Sequence, residues 1–168
     1  MLGASSQCEI RCGVLSDAPA LCQVFRETWS QTYLGIIPHY YLQNMISRRG
    51  ADWWTGTIKS GGVLVLQVAG NVVGYATHGA ARVRGQCEGE IYELYIAPSY
   101  QGVGFGERLF EACRYQLDTR QLPGLIVWAL ADNDVAMDFY WRRGGRPAGA
   151  GYERFGGRKL RKVAFAWD

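Results

Sequence analysis

The residues best suited to chemistry lie between Leu94 and Glu107. An apolar run, Leu94-Tyr95-Ile96-Ala97-Pro98, leads through Ser99-Tyr100-Gln101 into Gly102, Gly104 and Gly106, which stand at alternate positions. A helix-like run beginning Glu107-Arg108-Leu109-Phe110 follows at once. Glycines spaced this way let a tight loop approach a ligand closely and aim several main-chain N–H groups at one point. That point is also the start of a helix, where free N–H groups and the dipole favour negative charge. The segment reads as a phosphate cradle, which predicts a phosphorylated cofactor.

Spacing narrows the ligand. A dinucleotide fold needs G-x-G-x-x-G, and counting from Gly102 puts Glu107 at the third glycine position. A nucleotide P-loop ends in Gly-Lys-Ser/Thr, a triplet the chain does not contain. What remains is Gln101-x-x-Gly104-x-Gly106. It resembles the Q/R-x-x-G-x-G/A pyrophosphate loop of the GNAT superfamily, the acetyl-coenzyme A-dependent N-acetyltransferases. Downstream, Asn133, Ala136, Phe139, Tyr140 and Gly144 match each fixed position of that family's N-x-x-A-x-x-F-Y-x-x-x-G signature. The family closes the signature with Phe where this chain has Gly145, a departure that removes a packing anchor. Near the N-terminus, Trp29, Tyr33, Gly35, Ile37, Pro38, Tyr41 and Leu42 are similar to the helix 1–helix 2 region that borders the acceptor pocket in many small GNAT enzymes. The three segments span nearly the whole chain in the family's order.

The resemblance implies an α/β fold with a mixed, mostly antiparallel sheet of about six or seven strands, flanked by about four helices. Its central strands would splay apart to hold the cofactor. It implies an enzyme that moves an acetyl group from acetyl-CoA to an amine of a small molecule or protein, by direct transfer in a ternary complex. A non-catalytic acyl-CoA-binding module and an acyltransferase with a different donor are the rival readings. By the same resemblance, pantetheine would bond to the main chain of Leu94, Tyr95 and Ile96. Pyrophosphate would take the N–H groups of Gly102, Val103, Gly104, Phe105, Gly106 and Glu107, in the loop that Gln101 opens. Asn133 would hydrogen-bond the pantetheine arm and could also cap a helix, with Asp132 and Asp134 as rivals for the cap. Tyr140 would be the general acid that protonates the coenzyme A thiolate, since a phenol near 10 lies close enough to a thiol near 8.5 for transfer.

The general base is chosen between Glu90 and Glu93 on the strand before the loop, with water as a third option. Strand alternation would send the two carboxylates to opposite faces. Relatives with an acidic base on this strand carry it at positions matching Glu90 or Tyr92, so Glu90 is assigned to the acceptor side and Glu93 to an ion pair. His39 and His78 have no companion at metal-ligand spacing, and no metal is expected.

The elements that must position these residues alternate between strand and helix. Strands are expected at Cys8 to Val14, Val63 to Val68, Val72 to His78, Glu90 to Ile96 and Leu125 to Leu130, with a terminal hairpin of Tyr152 to Phe155 and Val163 to Trp167 around Gly156-Gly157. Gly70-Asn71 is expected as the turn into the third strand. A first helix begins near Ser16 or Asp17 with Pro19 in its first turn, and a second runs from Tyr40 to Arg48. Phe105, Leu109, Phe110, Cys113 and Leu117 give a third helix its apolar face, and Ala136 to Arg143 forms the last.

Composition agrees with one globular domain over 1–168. Of its 168 residues, 48% are hydrophobic and 20% charged, and no repeat or low-complexity linker divides them. A net charge of +3 does not suggest a nucleic-acid partner, and the basic cluster Arg158 to Lys162 reads as a solvated hairpin face. Cys8, Cys12, Cys22, Cys87 and Cys113 form an odd set without a zinc-type pair, consistent with reduced thiols in a cytoplasm. No apolar run approaches a membrane span. A homodimer is compatible with these features, which do not decide assembly.

Overall fold

A computed structural model describes residues 8–168. The chain runs β1 (Cys8–Cys12), α1 (Ala18–Thr32), α2 (His39–Arg48), α3 (Ala51–Ser60), β2 (Val63–Val68), β3 (Asn71–Ala80), β4 (Gly89–Ile96), α4 (Phe105–Thr119), β5 (Leu125–Leu130), α5 (Asp134–Arg142), β6 (Arg146–Phe155) and β7 (Arg158–Trp167). The strands form one seven-stranded sheet in the order β1-β2-β3-β4-β5-β7-β6. Neighbours are antiparallel except β4 and β5, which run parallel. A parallel pair needs a crossover, and α4 supplies it. Its buried stripe of Leu109, Phe110, Cys113 and Leu117 lies against Ile91 and Val127. Each fully buried Leu or Phe there contributes roughly 1.5–3 kcal/mol.

The opposite face carries a second core. Leu21, Phe25 and Trp29 of α1, Leu42 and Ile46 of α2 and Trp54 of α3 pack on Val63, Val65 and Tyr75. Helix α3 is the element that periodicity does not reveal, because Gly56 interrupts it and only Trp54 and Ile58 repeat at helical spacing. Complete burial of Trp54 against Phe25 and Tyr75 overrides that weak local preference. No helix among the described residues is long and apolar enough to cross a membrane.

Smaller differences from the sequence expectations have local causes. The β2–β3 turn is Ala69–Gly70 rather than Gly70–Asn71, with both residues in the left-handed region that a two-residue hairpin favours (φ 49° and 83°). Strand β1 stops at Cys12 because the Val14 N–H turns to the Asp17 carboxylate, 2.8 Å away. Strands β6 and β7 extend further than their residues suggest, since pairing of Arg146–Gly151 with β7 outweighs the low strand preference of Gly, Ala and Pro.

The missing Phe after Gly144 also has a structural explanation. A Cβ on Gly145 would lie 2.6 Å from Trp167 Cζ2 and 2.9 Å from the Tyr140 carbonyl oxygen. Trp167, at the end of β7, fills the space, donates its indole N–H to the Arg143 carbonyl at 2.9 Å, and packs on Phe110 and Tyr140. The anchor is supplied from another part of the chain. Gly145→Phe should therefore lower the melting temperature sharply, and adding Trp167→Ala should recover part of the loss. Thermal unfolding of the two single variants and the double variant should give a coupling of about 0.5–3 kcal/mol, and strict additivity would contradict this packing.

Candidate functional site

The central strands part. Strand β4 pairs with β5 at Gly89, Glu90 and Ile91 opposite Leu125, Ile126 and Val127, and no further. On its other edge β4 stays bonded to β3, where the Ala97 N–H donates to the Val73 carbonyl at 2.7 Å. Since main-chain groups alternate along a strand, Tyr95 turns its own towards β3, while Leu94 and Ile96 turn theirs into the gap. Of the three strand residues, Leu94 and Ile96 thus present the ladder edge that β5 leaves, with the Ile96 carbonyl already accepting the Gln101 side-chain amide. Tyr95 contributes its ring, which packs with Trp29, Tyr33 and Tyr75.

The glycine loop lies at the mouth of this gap. Gly102 and Gly104 adopt φ of 79° and 91°, and a Cβ at either would meet no protein atom within 4 Å. Their lack of a side chain serves the backbone path and leaves open space above it. Gly106 has another reason. A Cβ there would come within 3.1 Å of Phe139, so this glycine lets the start of α4 approach α5. Among the described residues, the N–H groups from Gly102 to Glu107 have no protein acceptor, and the first helical bond is Arg108 N–H to the Gly104 carbonyl at 3.2 Å. Gln101 turns back instead, its side-chain amide donating to the Ile96 carbonyl at 2.8 Å and tying loop to strand. The Glu107 carboxylate is paired with Arg143 at 3.3 Å. A row of free N–H groups, room above them and an unpaired strand edge fit a ligand with a phosphate group and an extended amide-bearing arm.

Tyr140 and Asn133 stand on α5 and at its start. Asn133 is the helix N-cap, its Oδ1 accepting the Ala136 N–H at 3.2 Å. Tyr140 is buried among Phe110, Phe139, Phe165 and Trp167, and its hydroxyl has no protein partner among the described residues. Burial pushes its phenol well above the ordinary value, with Tyr33 nearby adding to the shift, so it carries its proton at neutral pH. Across from it the hydroxyls of Tyr33 and Tyr95 meet at 2.5 Å. Burial pushes Tyr33 up to about 12, opposed by its contacts with Tyr95 and Asn133.

The two carboxylates depart from the sequence expectation. Thr77 pairs with Glu93 but His78 pairs with Ile91, so Tyr92 is an extra residue, a β-bulge. The bulge resets the alternation, and Glu90, Tyr92, Glu93 and Tyr95 share one face, the face covered by α1 to α3. The expectation of opposite faces for Glu90 and Glu93 is therefore corrected. Glu93 binds Arg49 through both oxygens, at 2.5 and 2.9 Å. Burial raises its carboxyl above the usual range, and Arg49 pulls it back. Arg49, at the end of α2, is held over Phe25, Trp29 and Trp53 at 4.6, 5.4 and 4.2 Å. Glu90 accepts three hydrogen bonds from Arg82: the main-chain N–H at 3.0 Å on Oε1, and Nε and Nη2 at 3.2 and 2.6 Å on Oε2. Sequence reasoning passed over both arginines. Each lies far from its partner's motif or in a loop, and only the fold brings them together.

The profile of the Acetyltransferase (GNAT) family matches residues 19–145. The chain belongs to this family. A Bacillus subtilis relative, the uncharacterized N-acetyltransferase YuaI, is 25% identical over 159 residues, covering 94% of this chain and 91% of the relative. A shorter match, 38% identical over 60 residues, links 36% of the chain to 20% of the mycothiol acetyltransferase of Nocardia farcinica. Among solved structures, the PaiA N-acetyltransferase of Thermoplasma acidophilum in complex with coenzyme A superposes with a TM-score of 0.75 at 20% identity, over 94% of this chain and 98% of that one. A GCN5-related N-acetyltransferase of Rhodopseudomonas palustris gives 0.76 at 21%, over 94% and 93%. This GNAT acyltransferase thus shares its overall fold with those proteins.

Gly104→Val tests the loop directly. A β-branched residue is disfavoured at φ near +90° and would fill the open space above the loop. Acetyl-CoA binding by calorimetry should fall below detection while the protein remains folded by circular dichroism. Unchanged affinity in a folded variant would remove the phosphate role from this loop.

Proposed function

We propose that this GNAT enzyme acetylates an amine by direct transfer from acetyl-CoA, with both substrates bound at once. The observation that carries the reading is the gap between β4 and β5, with free N–H groups at its mouth and Tyr140 beside it. The names of its relatives, N-acetyltransferases and mycothiol acetyltransferases, agree with it, as does the coenzyme A bound by the Thermoplasma protein. In this reading the pyrophosphate takes the N–H groups of Gly102 to Glu107, and the pantetheine arm bonds to Leu94 and Ile96 as an added strand, with Asn133 alongside. A main-chain N–H of β4 polarises the thioester carbonyl.

The amine nitrogen attacks the carbonyl carbon from the face that carries Glu90, Glu93 and Tyr95. An amine that arrives as ammonium first gives a proton to Glu90 through water, which frees the nitrogen lone pair for this attack. Three donors from Arg82 leave the carboxylate one further lone-pair site for that water. The carbon–sulfur bond then breaks, and the departing thiolate takes the Tyr140 proton. The Glu93–Arg49 pair shapes the wall of the acceptor side. The acceptor itself is an amine of a small molecule or a protein. Release of coenzyme A thiol, measured across a broad panel of amines and peptides, tests the activity. Binding of acetyl-CoA without amine-dependent thiol release from any of them would leave a binding module in its place.

Tyr140→Phe deletes one hydroxyl and keeps the ring that four aromatic neighbours hold. Coenzyme A affinity should persist while kcat falls by about 10² or more, a typical worth for a positioned proton donor. Full turnover at saturating substrates would give the proton to water.

The carboxylates should separate by pH. Glu90→Gln should lower kcat/KM most below the acceptor's own pKa, where the amine arrives protonated and needs a base. Glu93→Gln should act mainly on stability, because it leaves the Arg49 guanidinium without its buried anion. A normal pH–rate profile for Glu90→Gln beside a collapsed one for Glu93→Gln would transfer the role to Glu93.

A further inference from the structure

Arg82 has an arrangement that closing a loop does not require. It stands in the segment Ala81 to Glu88 that joins β3 to β4. One main-chain hydrogen bond to Glu90 would suffice to anchor that segment, which is also tied by the Ala81 N–H to the Glu88 carbonyl at 2.8 Å. Yet the guanidinium is fixed as well. Nε and Nη2 bind Glu90 Oε2, and Cζ lies 4.6 Å from the ring centre of Tyr92, whose own hydroxyl donates to the Ala80 carbonyl at 2.5 Å. The two partners differ in exposure: the Glu90 side chain is 1% exposed and that of Arg82 is 64% exposed. A buried carboxylate thus holds a cation whose other edge faces solvent, and Nη1 has no partner among the described residues. Glu153 on β6 also acts on this guanidinium, without a direct bond.

The location gives the arrangement its meaning. Tyr92 is the bulge residue, the first position of β4 beyond the pairing with β5, so the gap closes beside it. The acyl-bearing end of a ligand threaded down the gap from the glycine loop stops at this level. Arg82 sits over the same point, on the face from which an amine would arrive. A planar fork of N–H donors matches a carboxylate in geometry as well as charge. Because the side chain is already ordered by Glu90 and Tyr92, little rotamer freedom is lost when it binds.

We infer that Arg82 recognises the acceptor, and that the acceptor is an amine carrying a carboxylate, which binds the free edge of the Arg82 guanidinium while its nitrogen reaches the thioester. This rests on the acetyltransferase reading above and adds the chemical class of its second substrate.

The test compares acceptors of equal length that differ at one end. Aminocarboxylates from glycine to 6-aminohexanoate are each set beside the alkylamine and the diamine of the same chain length, with wild-type enzyme and thiol release as the readout. At the best length the aminocarboxylate should exceed both partners in kcat/KM by about tenfold or more, the worth of a charge-assisted hydrogen bond. In Arg82→Met that ratio should fall close to one. Arg82→Lys, a point charge without the fork, should give an intermediate ratio. The wild-type comparison needs no variant, so an unstable Arg82→Met protein does not shelter the inference. Equal or better use of alkylamines or diamines by the wild type overturns it, as does a preference that survives in folded Arg82→Met. Thiol release with other amines but none with aminocarboxylates also overturns it and leaves the acetyltransferase reading intact. Acetyl-CoA binding with no acetylation of any amine removes that reading, and the inference with it.

Discussion

A three-residue pairing governs this structure. Strand β4 meets β5 only at Gly89 to Ile91, after which the two part; the Ile96 carbonyl takes the Gln101 side-chain amide instead, and the remaining gap-facing groups of Leu94 and Ile96 have no β5 partner. An amide left unpaired in a water-poor site costs about 1–3 kcal/mol. The fold therefore carries an unfinished ladder that an extended amide-bearing ligand can complete. The same pairing is parallel, so it demands a crossover helix. A crossover from the end of β4 to the start of β5 puts the first turn of α4 beside the mouth of the gap. The anion-binding end of a helix and the missing strand edge thus follow from one topological choice.

The bulge at Tyr92 acts on the other edge of the same strand. By adding one residue it brings Glu90, Tyr92, Glu93 and Tyr95 to a common face. Two carboxylates on a largely buried face each need a cation, since desolvation alone would force them to protonate. The fold supplies Arg49 from the α2–α3 junction and Arg82 from the β3–β4 loop. The two pairs differ in kind. Arg49 is enclosed by Phe25, Trp29 and Trp53, so its stacking offsets part of the desolvation cost. Arg82 rests on a single ring and stays open to solvent.

The chain's motifs were legible because they encode backbone behaviour that depends on few residues. Left-handed φ at Gly102 and Gly104, the Asn133 cap and the apolar stripe of α4 follow from local rules, and the structure has all of them. The failures arose where the determining contact is distant. Nothing in Gly89 to Ile96 announces an extra residue relative to β3, so alternation gave the wrong face for one carboxylate. Helix α3 depends on Trp54 finding Phe25 and Tyr75. The need for glycine at position 106 also comes from a distant contact, since a Cβ there would meet the Phe139 ring. Arg49 and Arg82 carry no motif, because their partners are set by the bulge.

Gly145 and Trp167 show how such distant contacts reach the chemistry. A signature that closes with Phe asks for an aromatic volume after the helix turn, and this chain supplies it from the last strand. The substitute does more than fill space. Trp167 pairs with Leu125 across the β5–β7 ladder, bonds to the Arg143 carbonyl at the end of α5, and packs on the Tyr140 ring. Helix α5 is thereby fastened to the far half of the sheet at the turn that follows Tyr140. The phenol is clamped from four directions while its hydroxyl has no protein partner, so its position is set by apolar packing alone. A hydroxyl held in this way keeps its direction whatever lies in the gap, because the contacts that aim it are all made by the chain's own rings.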